Sequence, residues 1–425
     1  MKQQSTTKIR RGLVAVSALS LLAALLLATS CAGRAQPART EESAFTPTPT
    51  LLPATPTALL PVATLSAIPS DTVAEAQPPR IEEITFQSGA FTLVGDLRLP
   101  EGTGPFPVVL FVHGSGPIDR TMFGEYVPIM ERMLQAGYAA FSWDKPGTGE
   151  STGHLSSTRV YHERAQIVLD AIEVMKAHSN IDGRRIGLWG ISQGGPVMAL
   201  ALTQTRDVAF MICVSCPGMS GSDQAAFSVT AWALCNEVPE EKADQKTRLL
   251  AELDRARTYD TYAEYLHYRN VLKALAGLVS APLEHVPVVS EETWQQNPTT
   301  PESSWNPIGV LEQLRIPVLA IFGDRDRSVD PLQGAYAFRQ ALEQAGNPKS
   351  RVELFPRAHH SMGRSSEMAC PDDQLRFLEE YVKTLGYGSV SEAQAAVEKD
   401  PRLRSDFLAP GYLDLIEEWL RSLRE

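Results

Sequence analysis

The run Gly190-Ile191-Ser192-Gln193-Gly194 decides how the rest of the chain is interpreted. It has the form Gly-x-Ser-x-Gly, and Ser192 directly follows the apolar stretch Arg185–Ile191. It also opens Gly194–Thr203, whose small residues suit a helix packed closely on a sheet. A serine on a sharp turn between a buried strand and a helix has its hydroxyl exposed at the edge of the sheet. This setting predicts that Ser192 is a nucleophile.

A sheet with crossover helices is predicted from Ile81 onward, because short β-branched and aromatic runs alternate with helical patterns. The stretches Ile81–Phe86 and Phe91–Leu99 predict an opening hairpin. Helical stripes predict helices over Glu163–Ala177 and Tyr412–Leu423. The fold class is therefore α/β, with a mostly parallel eight-stranded sheet and flanking helices. Six nearly continuous apolar runs predict its remaining strands: Val108–His113, Ala139–Asp144, Arg185–Ile191, Val208–Val214, Val318–Phe322 and Arg351–Phe355.

The connection between the predicted strands that end near Cys216 and begin at Pro317 is far longer than the handful of residues usual in such folds. It contains helical patterns of its own. We therefore predict a helical cap over residues 218–306, inserted into a core formed by residues 81–217 and 307–425.

A nucleophilic serine needs a base, and the base needs an orienting acid, because a hydroxyl is a weak nucleophile at neutral pH. After a serine in this setting, the acid and then the histidine follow along the chain. Asp326 follows the predicted strand after the cap, and His360 follows the last predicted strand. Both are expected on loops at the sheet edge where Ser192 emerges.

Three further motifs accompany the serine motif: His113-Gly114-Ser115-Gly116-Pro117, the run Trp143–Ser151, and the Gly-x-x-Asp sequence that ends at Asp326. With these motifs, residues 81–425 resemble the bacterial esterase branch of the α/β-hydrolase superfamily. The similarity is to dienelactone-hydrolase-like enzymes and to the serine aminopeptidase group. It implies an α/β-hydrolase fold and hydrolysis by a serine, an acid and a histidine.

The resemblance also distinguishes between candidate acids and between candidate bases. The family's acid is the aspartate three residues after the glycine, which is Asp326 here and leaves Asp324 as the alternative. The family's histidine usually ends a Gly-Ala-Asp-His-like turn, which favours His360 and leaves His359 as the alternative. This chain departs from that turn, with Arg357 in place of the glycine and His359 in place of the acid.

Acyl transfer also requires hydrogen-bond donors for the oxyanion that forms on the substrate. The backbone amide of Gln193, one residue past the nucleophile, is expected to supply one donor. The loop after the third strand is expected to supply the other, at Ser115.

The N-terminal region is expected to direct export and to anchor the chain to a membrane. Residues 1–31 place lysines and arginines ahead of the uncharged apolar run Leu13–Ala28, which is the layout of a secretory signal peptide. The sequence Ala28-Thr29-Ser30-Cys31 resembles a bacterial lipobox, so Cys31 is expected to be lipidated. Residues 32–80 contain nine prolines among threonine, alanine and serine, and are expected to form a disordered tether. The predicted location is the extracytoplasmic side of a membrane.

Charge, motif content and cysteine use narrow the possible partners. The formal charge of −11 argues against a nucleic-acid partner. No histidine spacing suggests a metal and no Gly-rich loop suggests a nucleotide, so neither a metal nor a cofactor is expected. Besides Cys31 there are Cys213, Cys216, Cys235 and Cys370, which allow three full disulfide pairings. Cys213 and Cys216 form a CxxC pattern on a predicted strand, where buried packing is favoured over redox or metal work.

Three functions fit these patterns. The leading hypothesis is hydrolysis of a small-molecule carboxylic ester through an acyl-enzyme on Ser192. The second is a serine peptidase or amidase, because one triad serves both bonds and the substrate would then be a peptide. The third is a non-catalytic binding lipoprotein, which the complete set of Ser192, Asp326 and His360 disfavours. No pattern indicates an oligomeric state.

Overall fold

The structure, a computed structural model, covers the region of the predicted core. The described residues are 80–156, 159–221, single positions between 223 and 248, 261–278, 290–296, 305–366 and 370–424. The predictions for the signal peptide, for Cys31 and for nearly all of the tether therefore lie outside the described residues. So does much of the predicted cap over residues 218–306. Within the described ranges, no helix has the length and apolar character needed to cross a membrane.

One sheet of eight strands forms the centre of the described chain. The strands across the sheet are in the order β1-β2-β4-β3-β5-β6-β7-β8. Pairing is antiparallel in β1–β2 and β2–β4 and parallel in the five remaining pairs. The predicted α/β fold with a mostly parallel sheet is therefore confirmed. The strands are β1 (Arg80–Ser88), β2 (Phe91–Leu99), β3 (Phe106–Val112), β4 (Ala139–Trp143), β5 (Ile181–Ile191), β6 (Val208–Val214), β7 (Val318–Gly323) and β8 (Arg351–Phe355).

Helices cover both faces of the sheet. Those with described bounds are α1 (Val127–Gln135), α2 (Val160–Ala177), α3 (Gly194–Leu202), α4 (Tyr262–Leu278), α5 (Glu291–Gln296), α6 (Ile308–Leu311), α7 (Pro331–Ala345), α8 (Pro371–Thr384), α9 (Val390–Lys399) and α10 (Tyr412–Ser422). Helices α2, α3 and α7 pack on one face, and α1 and α10 pack on the other.

Double coverage explains why the central strands are apolar at nearly every position. Successive side chains of a strand point to opposite faces. Leu110 and Leu188 pack into the core under α2 and α3, whereas Phe111 and Trp189, one residue further along, pack into the core under α1 and α10. All four are fully buried.

The parallel strands end at one edge, which brings their following loops together. The amide of Ser192, after β5, donates to the carbonyl of Val214 at the end of β6 at 3.0 Å. The amide of Ser215 donates in turn to Ile321 in β7 at 2.8 Å. The loops after β5, β7 and β8 therefore leave the sheet side by side, and these are the loops that carry Ser192, Asp326 and His360.

The chain leaves the sheet a second time between β8 and α10, and we call this segment, residues 356–411, the second excursion. It holds α8, α9 and a 3-10 helix, Pro401–Phe407, for which the sequence patterns predict no element. A disulfide between Cys235 and Cys370 joins it to the segment predicted as the cap, with the two Cα atoms 5.4 Å apart. Cys213 and Cys216 are buried free thiols. Only one of the three possible pairings joins Cys235 to Cys370. The structure contains that bond, and the second bond of the same pairing, between Cys213 and Cys216, is not formed.

The disulfide should contribute to stability, because it closes a loop across 135 positions and so restricts the unfolded chain. We expect Cys235→Ala to lower the free energy of unfolding by about 2–4 kcal/mol. Denaturant unfolding without reductant measures this loss. Cys370→Ala and the double variant should lose the same amount, since each breaks the same link; additive losses or an unchanged midpoint would contradict the assignment.

Candidate active site

Ser192 occupies a sharp turn between β5 and α3. Its φ of 54° lies in the left-handed region, which is uncommon for a residue with a side chain. The strain is held in place because its amide bonds to Val214 and its carbonyl accepts from the amide of Gly195 at 2.9 Å. Ser192 is partly exposed, and within the described residues no hydrogen bond restrains its hydroxyl. The turn thus presents a free hydroxyl at the sheet edge.

The turn requires glycine at position 194. A Cβ placed on Gly194 would lie 2.3 Å from the carbonyl oxygen of Val112 at the end of β3. No side chain fits there, so α3 can approach the loop after β3 only with glycine at its first position. The same loop passes Ser192 closely, since a Cβ on Gly114 would lie 3.5 Å from the Ser192 Cβ.

Asp326 lies in the loop after β7 and is nearly fully buried, with 3% of its surface exposed. Its Oδ1 accepts hydrogen bonds from the amides of Ser328 at 2.7 Å and Val329 at 2.9 Å. Its Oδ2 lies 2.7 Å from Nδ1 of His360. Two backbone donors therefore fix the carboxylate, and its second oxygen orients the histidine.

His360 is held through Nδ1, which leaves Nε2 without a hydrogen bond among the described residues. Burial alone would lower the pKa of His360, but the Asp326 carboxylate outweighs burial, so the pKa is raised above its ordinary value. A ring in this position accepts a proton at Nε2 more readily than a free imidazole.

The alternative histidine, His359, has different partners. Its Nδ1 accepts from the amide of Ser361 at 3.2 Å, and its ring lies so close to Gly363 that a Cβ there would be 2.3 Å from Nε2. Burial, followed by the charge of His360, lowers the pKa of His359 to about 4. His359 is therefore a neutral ring at pH 7, and no bond to a carboxylate is found for it among the described residues.

The alternative acid, Asp324, does not reach either histidine. Its amide donates to the carbonyl of Phe355 at 2.9 Å, and its Oδ1 lies 3.7 Å from Nε of Arg325. The structure thus joins Asp326 and His360 by a hydrogen bond, and among the described residues no such bond joins Asp324 or His359 to that pair.

The predicted oxyanion donors belong to two loops that the buried side chains of Arg164 and Lys145 hold in place. Arg164 of α2 donates from Nη1 to Oε1 of Gln193 at 2.7 Å and from Nη2 to the carbonyl of His113. Lys145 donates from Nζ to the carbonyls of Gly114 at 3.0 Å and Gly116 at 2.6 Å, on either side of the exposed Ser115. These contacts fix the loop after β3 against the turn that carries Ser192.

Burial, followed by the charge of Arg164, lowers the pKa of Lys145 to about 6. A neutral amine has two N–H groups, which match the two carbonyls that Lys145 contacts. The sequence patterns assign no role to Lys145 or to Arg164. The helical spacing could have pointed to Arg164, because it lies on the same face of α2 as the buried Ile167 and Ala171. A charged residue on a buried face needs a buried partner.

The run Asp119-Arg120, which had no assigned role, organises the same loop. Arg120 donates from Nη2 to Oδ2 of Asp144 at 2.8 Å and from Nη1 to Oδ1 of Asp96 at 2.8 Å, and its amide donates to Oδ1 of Asp144 at 2.7 Å. A Cβ on Gly149 would lie 2.2 Å from Asp144 Oδ2, which explains the glycine there. Arg120 therefore ties the loop after β3 to the loop after β4.

A scan against family models matches residues 109–371, more than half of the chain, to the alpha/beta hydrolase family. The chain belongs to the alpha/beta hydrolase family. Its fold agrees with that membership.

Curated relatives match part of this hydrolase-family chain. An uncharacterized 31.7 kDa protein of Escherichia coli is 29% identical over 115 residues, which cover 27% of this chain and 39% of the relative. Hydrolase LUC6 of a Fusarium species is 32% identical over 146 residues, 32% of each chain. The chain thus spans about two fifths or less of these relatives. Among solved structures, an esterase from Pyrococcus furiosus has 16% identity and a TM-score of 0.43, over 78% of this chain and 92% of the esterase.

A cavity of 380 Å³ opens beside His360, on the face of the sheet under α1 and α10. We call it the His360 cavity. Ile191 and Trp189 of β5 form part of its wall, and α8, α9 and the 3-10 helix of the second excursion form another part. Its size falls in the range of small-molecule sites. In the part of the chain that the structure describes, no group of three or more metal-ligating side chains is found.

The two histidines should titrate far apart, which NMR of the imidazole nitrogens measures. In the native chain we expect His360 to titrate above 6.5 and His359 at about 4. Asp326→Asn should move the His360 midpoint below 6.5, because burial then acts without an opposing carboxylate. Asp324→Asn is the matched control and should leave both midpoints in place. If the titration midpoint of His360 were the same in Asp326→Asn as in the native chain, the contact with Asp326 could not be the cause of the raised pKa.

Proposed function

We propose that the chain hydrolyses carboxylic esters through an acyl-enzyme on Ser192, with His360 as base and Asp326 as orienting acid. One observation carries the proposal: His360 Nδ1 lies 2.7 Å from a buried Asp326 oxygen at the edge where Ser192 turns with φ 54°. Nucleophile, acid and base follow along the chain in the order expected of a hydrolase with this fold.

In the first half of the reaction, His360 Nε2 takes the proton of the Ser192 hydroxyl as the oxygen attacks the ester carbonyl. The amides of Gln193 and Ser115 donate to the oxyanion that forms. Its collapse breaks the bond to the alcohol oxygen, which takes the proton from His360 and leaves. Asp326 keeps the ring oriented and stabilises its transient positive charge.

In the second half, water gives a proton to His360 and attacks the acyl group on Ser192. The bond between the acyl group and the Ser192 oxygen then breaks, the proton returns from His360 to that oxygen, and the carboxylic acid product leaves. Each half therefore uses the same base in both directions, and the chain returns to its starting state.

Ser192→Ala should lower kcat/KM on short p-nitrophenyl esters about a thousandfold or more, because the residual rate then comes from binding and the oxyanion donors alone. Ser215→Ala is a matched control. Ser215 also follows a strand with positive φ, at 47°, but it is fully buried and its hydroxyl has no partner among the described residues, so loss of that hydroxyl should leave the rate unchanged.

A fluorophosphonate probe should label the native chain and Ser215→Ala but not Ser192→Ala. Full ester hydrolysis by Ser192→Ala would refute the mechanism. Faster turnover of an aminoacyl amide than of the matched ester would instead identify a peptidase with the same triad.

We also propose that the chain is an exported lipoprotein, anchored through Cys31 and a tether over residues 32–80. The disulfide between Cys235 and Cys370 supports export, because such bonds persist in oxidising compartments. Expressed in a bacterium, the full chain should partition into the detergent phase of a Triton X-114 extraction, and Cys31→Ala should move it to the aqueous phase. Retention of that variant in the detergent phase would exclude Cys31 as the anchor.

A further inference from the structure

The His360 cavity has a direct relation to the proton that His360 transfers. Of the described residues, His360 and Ser361 line the cavity, whereas Ser192, Ser115 and Gln193 do not. In the proposed reaction, His360 gives its proton to the oxygen of the leaving alcohol. The part of the substrate attached to that oxygen therefore lies against His360, and the cavity extends from the alcohol side of the ester.

Most of the cavity wall is apolar. It includes Met122, Ile129, Trp189, Leu378, Val397 and Phe407. A chain of carbon atoms gains free energy by leaving water for such a wall, at roughly 25 cal/mol for each Å² of apolar surface. The alcohol side of the substrate should therefore be largely hydrocarbon.

A buried ion pair interrupts this apolar wall. Glu125, in the loop before α1, and Arg404, in the 3-10 helix, both line the cavity. Burial raises the pKa of Glu125 and lowers that of Arg404, and each charge opposes the effect of burial on its partner. Yet 23% of the Glu125 side chain and 16% of the Arg404 side chain remain accessible. Because both residues line the cavity, a ligand there would contact them.

The pair leaves hydrogen-bonding capacity unused. Arg404 Nη1 and Glu125 Oε1 are 3.4 Å apart, longer than the 2.7–2.9 Å typical of a charge-assisted bond. Arg404 Nη2 donates to the carbonyl of Phe123 at 3.1 Å, and Arg404 Nε has no accessible surface, so a ligand would contact the guanidinium through its Nη atoms. No partner is found for the second Glu125 oxygen among the described residues. A ligand group that both donates and accepts hydrogen bonds would satisfy these atoms.

The charge of such a group can be inferred from the pair. A cation bound there would face Arg404 as well as Arg325, Arg327 and Arg364, which also line the cavity, and a carboxylate bound at the pair would face Glu125 in a region of low dielectric. An uncharged hydroxyl or primary amide avoids both penalties.

We propose that the His360 cavity binds the alcohol portion of the substrate and selects a hydrocarbon chain that ends in an uncharged hydroxyl or amide, held by Glu125 and Arg404. This inference rests on the proposed esterase function and adds the class of alcohol that the enzyme releases.

The test compares two acetate esters that differ by one hydroxyl, n-hexyl acetate and 6-hydroxyhexyl acetate, in a pH-stat assay of kcat/KM. The native chain should prefer the hydroxylated ester about 10- to 100-fold, the range for a hydrogen bond to a charged group. The combined variant Glu125→Leu with Arg404→Met removes both charges together, so no unpaired charge is left buried, and should abolish the preference.

Two further variants keep the test decisive. Glu125→Gln retains shape and acceptor, and should reduce the preference only in part even if the double variant fails to fold. Arg132→Met removes ion pairs to Asp414 and Glu417, neither of which lines the cavity, and should leave the ratio of the two rates unchanged. The ratio within one preparation is independent of how much protein is folded.

The outcomes separate this inference from the proposed function. If neither ester nor p-nitrophenyl acetate is hydrolysed, the esterase function fails. If Ser192-dependent hydrolysis occurs with equal rates on the two acetates, only the cavity assignment is overturned. A preference for 6-aminohexyl acetate over the hydroxylated ester would overturn the requirement for an uncharged group. A hydroxyl preference on ethyl 6-hydroxyhexanoate instead would place the acyl side in the cavity and overturn the assignment.

Discussion

The close approach of α3 to the loop after β3 is the constraint on which the candidate site depends. It exists because position 194 has no Cβ that would meet the Val112 carbonyl 2.3 Å away. With α3 seated there, Ser192 takes a left-handed turn, and Gln193 is within reach of Arg164. Arg164 also binds the carbonyl of His113, so one guanidinium joins both sides of the approach. A larger residue at position 194 would therefore displace Ser192, Gln193 and the loop after β3 from one another at the same time.

Local environment, rather than residue type, separates the roles of the two neighbouring histidines. His359 and His360 are both enclosed, and burial opposes a positive charge on each. Only His360 has a hydrogen bond to a carboxylate, and two backbone amides hold that carboxylate, Asp326, in place. The acidic member of the family's turn is absent at position 359, yet the loop still delivers the next residue to Asp326. The family turn is therefore not required for this contact.

Much of the core and the candidate Ser192, Asp326 and His360 could be predicted, because their signals are local. Strands covered on both faces must be apolar at successive positions, and a motif between such a strand and a helix has a defined geometry. The positions of Lys145 and Arg164 at the loop after β3 could not be read in this way, since each acts on carbonyls about thirty and fifty positions away. The choice of Cys235 and Cys370 from three possible pairings depends on the same kind of distant contact. The helices of the second excursion lacked a recognised pattern, so the cavity wall that they form was not foreseen.

The disulfide between Cys235 and Cys370 joins two segments that both contribute to the wall of the His360 cavity. Ala231 and Cys235 come from the segment predicted as the cap, and Gln374 and Leu378 come from α8 of the second excursion, yet all four line one cavity. Neither segment belongs to the sheet that fixes the rest of the site. Two long excursions that meet away from the sheet lose much conformational entropy when they are held in register. A covalent link between Cys235 and Cys370 restricts the unfolded chain and so reduces that cost.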